Sequence, residues 1–205
     1  MARARQHEAV DVDPTPSLQG RAAADLRFIR HAIERSTTFT AVPGIGGAVM
    51  GSIGLGAAAI AAFQPSAQRW LAVWLVAATA ALAVGLLAMR RKAIRAGVPL
   101  AGAPGRRFAL SLAAPLLAGA ALTGGLWFHG AWALMPSVWL LLYGTGVLTG
   151  GALSVAPMRL LGVSFMILGV AALVTPPSWG NVWLAVGFGG LQVGFGLYIA
   201  KRHGG

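Results

Sequence analysis

Not one of residues 36–205 has a carboxylate side chain: the five acids of the chain, Glu8, Asp11, Asp13, Asp25 and Glu34, all precede Ser36. Beyond that point long apolar runs alternate with short joints, and ten of the sixteen Lys and Arg residues fall outside the apolar runs with no acid to face. A soluble domain carries about 25% charged residues of both signs, whereas this chain carries 10%. Such a stretch cannot cover a core with a solvated surface, and it reads as one helical membrane domain.

Six apolar runs follow the polar opening, at 41–63, 70–89, 108–128, 132–153, 160–175 and 182–200. A hydrocarbon core about 30 Å thick takes about 20 helical residues, so each run suffices for one crossing, the fifth being the shortest unless it opens at Ala156. Most connectors are short (64–69, 129–131, 154–159, 176–181), which places successive helices antiparallel. The fold class expected is an all-α integral membrane protein with six transmembrane helices as three antiparallel hairpins in a domain over 39–200. A cytosolic amphipathic helix precedes it and a basic tail, 201–205, follows. The one long connector, Arg90 to Arg107, holds Arg90, Arg91, Lys92, Arg95, Arg106 and Arg107 around a Gly- and Pro-containing stretch. It reads as a flexible loop held to anionic lipid head groups or docking an acidic partner.

Residues 1–16 contain few large apolar side chains and two prolines, and are expected to be disordered. From Ser17, a candidate N-cap, Leu18, Ala22, Leu26, Ile29 and Ile33 recur at three- and four-residue spacing, the signature of an amphipathic helix over 17–38. With Phe28 and Ile29 turned to lipid and Arg30, Glu34 and Arg35 among its polar groups, it would lie along a membrane surface or present a docking face. The first 40 residues hold no apolar core of the signal-peptide kind.

Orientation follows from two counts. Lys and Arg collect in the arm, the 90–107 connector, Arg159, and Lys201 with Arg202, while the opposite side receives only Arg69. The tryptophans Trp70, Trp74, Trp127, Trp132, Trp139, Trp179 and Trp183 gather towards that opposite side. Positive-inside bias and the aromatic belt agree on both termini being cytoplasmic. Tryptophans opening each second helix and a basic residue closing it also raise a threefold hairpin repeat, although the two membrane rules alone would produce much of that pattern.

The chemistry open to such a chain is narrow. No Asp, Glu, Lys, Arg or His lies in the centre of any run, which argues against a proton relay, an acidic cation filter and a carboxylate-bound metal. There is no cysteine, and His7, His31, His129 and His203 form no ligand pair on one element, so no metal, cofactor or catalytic residue is assigned and the protein reads as no enzyme. The excess of basic residues is juxtamembrane and does not indicate nucleic-acid binding. Gln192 is the most polar residue of the membrane core, with Tyr143, Thr145 and Thr149 as candidate partners. They would serve as interhelical glue or line a small ligand pocket. Gly47/Gly51, Gly146/Gly150 and Gly190/Gly194 each set two glycines on one helix face, for packing within the chain, self-association or a protein partner.

Two passages resemble an uncharacterised group of bacterial six-helix membrane proteins: Leu26-Arg27-Phe28-Ile29-Arg30 through Glu34-Arg35-Ser36 to Phe39-Thr40-Ala41-Val42-Pro43-Gly44, and Gly187-Phe188-Gly189-Gly190-Leu191-Gln192 through Phe195-Gly196 to Ile199-Ala200-Lys201-Arg202-His203-Gly204-Gly205. The group's ending would carry His where Gln192 stands here. The resemblance implies a bacterial inner-membrane protein and adds no activity. The function expected is therefore a non-enzymatic structural or partner-docking membrane subunit; the alternative is a small transporter or ligand-binding protein for a neutral or apolar solute.

Overall fold

A computed structural model describes residues 43–97, 102–152, 154 and 156–203, together with Leu26 and Ile29. The chain divides into two compact units, Met1–Ser36 and Thr37–Gly205. Of the first, Leu26 and Ile29 are helical and exposed. The remainder of the amphipathic arm, with Phe28, Arg30, Glu34 and Arg35, lies outside the described residues.

All regular structure among the described residues of the second unit is helical: α1 (Gly44–Ala61), α2 (Ala67–Ala96), α3 (Ala103–Phe128), α4 (Met135–Gly151), α5 (Ala156–Val174), then α6 (Gly180–Leu184), a π-helical segment (Ala185–Leu191) and α7 (Gln192–His203) in unbroken succession. Short 3-10 turns, Trp132–Leu134 and Pro177–Trp179, lead into α4 and α6. Six helical stretches are long and apolar enough to cross a membrane, the last running through α6, the π segment and α7. Apolar residues in lipid have no water to satisfy their amides, so a continuous helix is the economical solution for each run.

The ends are set locally. Pro43 holds extended backbone ahead of α1. The Ser66 hydroxyl accepts the Arg69 amide at the start of α2, and Gly97, at φ 63°, closes α2 in the left-handed conformation that a Cβ disfavours. These signals correct the long basic connector. Arg90, Arg91, Lys92 and Arg95 ride on α2, which continues past the apolar run to Ala96, and Arg106 and Arg107 belong to the start of α3. α2 thus ends at Ala96 and α3 begins at Ala103, so the basic residues of 90–107 belong to helices. Arg, Lys and Ala are strong helix formers, so a helix does not end where its apolar character ends. Similarly, α5 starts at Ala156, and the connector expected at 176–181 is largely helical, with Asn181 inside α6.

Glycine decides which helices meet. Along α1, Gly44 faces Ala200, Gly51 faces Val193 and Gly54 faces Phe188, so α1 and the last helix run antiparallel with backbones nearly touching. A Cβ on Gly51 would lie 2.6 Å from the Val193 amide nitrogen. In the same way Gly144 meets Met166, Gly162 meets Leu148 and Gly151 meets Met158, zipping α4 to α5. Since lipid offers no hydrophobic drive between helices, close backbone approach is the main gain available. The tightest pairs are accordingly α4 with α5 and α1 with the last helix, whereas α5 shares less with the helix that follows it. The third hairpin is thus a sequential pair without being a packing unit. α2 and α3 are outer helices, packed mainly on α1 and α4 respectively, each with only 6% of its most apolar window buried against 39% for α1 and 44% for α4.

Candidate functional site

Two amide side chains of the last helix, Asn181 and Gln192, hydrogen-bond to other helices at two levels. Near its start, the Asn181 amide donates to the carbonyl of Ala58 on α1 at 2.9 Å, and Asn181 Oδ1 accepts the indole N–H groups of Trp70 at 3.3 Å and Trp74 at 3.2 Å. One side chain therefore ties α1, α2 and α6 together. Trp74 is buried, and Trp70 continues the cluster by stacking on Trp139 of α4, ring centroids 5.7 Å apart. Trp139 in turn donates to Thr123 of α3 at 2.8 Å, and Trp183 donates to Thr175, just past α5, at 2.8 Å. Four of the seven indoles assigned to the aromatic belt, those of Trp70, Trp74, Trp139 and Trp183, are also hydrogen-bonded joints. Their partners break the hairpin analogy, because Trp139 and Trp183 bond within their own hairpins and Trp70 and Trp74 reach the last helix.

Deeper along the same helix, Gln192 Nε2 donates to Tyr143 Oη at 2.8 Å. Tyr143 packs edge-on against Phe165 of α5 and Phe188 of the π segment, with centroids 4.7 and 5.0 Å away, and these two phenylalanines lie 5.2 Å from each other. Gln192 is 7% exposed, and its Oε1 is buried with no hydrogen-bond partner. Of the three partners considered for Gln192, only Tyr143 reaches it. Thr145 bonds to the Leu141 carbonyl of its own helix, and Thr149 bonds to the carbonyls of Thr145, Gly146 and Ser111. Positions 143 and 145 differ by about 200° around an α-helix, so they cannot serve one neighbour.

The π segment makes both levels possible. Asn181 and Gln192 are eleven residues apart, about three turns of a straight α-helix at 3.6 residues per turn, and would point the same way. The wider turns of Ala185–Leu191 swing Gln192 off the α1–α2 side and onto α4. Gly187 and Gly189 allow it: a Cβ on Gly187 would press on Leu140 and Phe165, and one on Gly189 on Leu55. π turns of this kind concentrate at functional sites.

Asn181, expected in the connector 176–181, lies inside α6, and its role is not among the expectations from the sequence. The available signal was an amide flanked by Trp179 and Trp183, opposite two tryptophans four residues apart, Trp70 and Trp74.

The glycine pairs separate equally clearly. Gly47/Gly51 and Gly146/Gly150 are consumed within the chain, against the last helix and α3. Gly190 and Gly194 are exposed, and a Cβ on either would meet nothing within 4 Å.

The fold defines a class: an all-helical protein with, among the described residues, six helical stretches long and apolar enough to cross a membrane. No protein-family model, no curated protein and no solved structure matches the chain.

Proposed function

We propose that the protein is a non-enzymatic subunit of the bacterial cytoplasmic membrane, both termini cytoplasmic, that associates with a second copy or a protein partner through the Gly190/Gly194 face. The observation carrying this reading is the contrast between this open glycine pair and the pairs Gly47/Gly51 and Gly146/Gly150, which meet other helices of the chain. A helix face stripped of Cβ atoms and left uncovered suits another helix. The basic ends of α2 and α3, and the amphipathic arm where it carries Phe28, Ile29, Arg30, Glu34 and Arg35, would hold the assembly to anionic lipid. The lack of carboxylates after Glu34 supports a role without catalysis.

The test uses the absence of cysteine. A single Val186→Cys chain, cross-linked in its native membranes, should yield one defined adduct, and adding Gly190→Leu and Gly194→Leu should abolish it without lowering the melting temperature. An adduct that survives both substitutions would sink the reading.

A second reading, a ligand-binding membrane protein, draws on the partnerless Gln192 Oε1. It requires that Gln192→Leu abolish binding of a co-purifying small molecule while leaving expression intact.

A further inference from the structure

Arg69 is the exception to the basic bias of the chain, standing alone on the side that carries the turns 62–66, 129–131 and 175–179. It also lies one turn of α2 ahead of the residues that line a groove in the molecule's surface. A trough of about 490 Å³ runs between α1 and α2, walled on one side by Ala72, Val73, Val76 and Ala80 and on the other by Gly56 and Ile60. Arg69 precedes Ala72 and Val73 by three and four residues, so it shares their helix face. Its side chain, leaning towards the start of α2, reaches the membrane surface above the groove.

The dimensions match one lipid chain. From Arg69 to Ala80 the helix rises about 16 Å at 1.5 Å per residue, and one leaflet of a hydrocarbon core about 30 Å thick is about 15 Å deep. The floor is open, since a Cβ on Gly56 would meet nothing within 4 Å. We infer that the α1–α2 groove is a binding site for an anionic phospholipid, one acyl chain lying along Val73, Val76 and Ala80 and the phosphate held by the Arg69 guanidinium. Guanidinium geometry suits a phosphate bidentately. A net negative head group gains from that charge, whereas a choline head group brings its own cation to the same place. The proposal stands independently of association through Gly190 and Gly194, which lie on a different helix.

The full chain is reconstituted in phosphatidylcholine nanodiscs containing a trace of phosphatidylglycerol or phosphatidylcholine with a photoreactive diazirine in its acyl chain, and the labelled peptides are mapped. The expected result is labelling within 72–80 that favours phosphatidylglycerol about fivefold, the effect of about 1 kcal/mol from one basic residue near a membrane surface. Arg69→Gln should remove the preference at these residues and Arg69→Lys should keep most of it. Gly56→Leu, which fills the groove without a clash, should remove labelling of this segment by both lipids. Equal labelling by the two lipids in the wild type, a preference that persists in Arg69→Gln, or groove labelling that persists in Gly56→Leu would each overturn the proposal.

Discussion

Asn181 Oδ1 accepts the indole N–H of Trp74 at 3.2 Å, across 107 positions of sequence, while the other end of the same amide holds the Ala58 carbonyl. Three helices that glycine contacts bring near one another are thereby held at one level. Asn181→Leu should strand the buried Trp74 N–H and cost about 1 to 3 kcal/mol. The midpoint of unfolding by SDS in mixed micelles measures this, and an unchanged midpoint would show that the tie is dispensable.

The Gln192–Tyr143 pair should respond asymmetrically. Tyr143→Phe leaves the Gln192 amide wholly unpaired in the interior and should cost about 1 to 3 kcal/mol. Gln192→Leu strands the Tyr143 hydroxyl but also removes the already partnerless Oε1, so its net effect should be smaller. The double variant, which leaves neither group stranded, should cost less than the two single losses together. A cycle in which the two single losses simply add would contradict the pairing.

Glycines of identical appearance in sequence should behave oppositely. Gly51→Ala sets a methyl against the Val193 backbone and should destabilise by about 1 to 3 kcal/mol or more. Gly190→Ala meets open space and should stabilise by up to about 1 kcal/mol through helix propensity. Thermal melts of the two variants in one detergent decide the matter, and equal shifts would refute the packing.

Orientation is open to direct labelling because the chain holds no cysteine. Gln64→Cys should react with an impermeant maleimide in intact cells, and Arg202→Cys only after the membrane is opened. The reverse pattern would invert the orientation argued from Arg69 and the basic ends.

The number of helices long and apolar enough to cross a membrane and the placing of basic residues outside the apolar runs were legible in the residues alone. Chain length per crossing and the cost of unsatisfied amides in lipid leave little choice, and these are properties of each segment taken singly. The ends of α2 were less legible, since Arg90 to Arg95 mark the limit of apolarity while the helix obeys propensity and stops at Gly97.

What the tertiary structure alone decided is which identical-looking features are used. Gly47-x-x-x-Gly51 and Gly190-x-x-x-Gly194 have the same form, yet one is packed and the other open. Tyr143, Thr145 and Thr149 were equal candidates for Gln192, and the phase of α4 selected Tyr143. The π turns of Ala185–Leu191 have no one-dimensional signature beyond a glycine cluster, but they set where Asn181 and Gln192 point. Each of these depends on the rotation of one helix against another, and a periodicity read along a single helix carries no information about that angle.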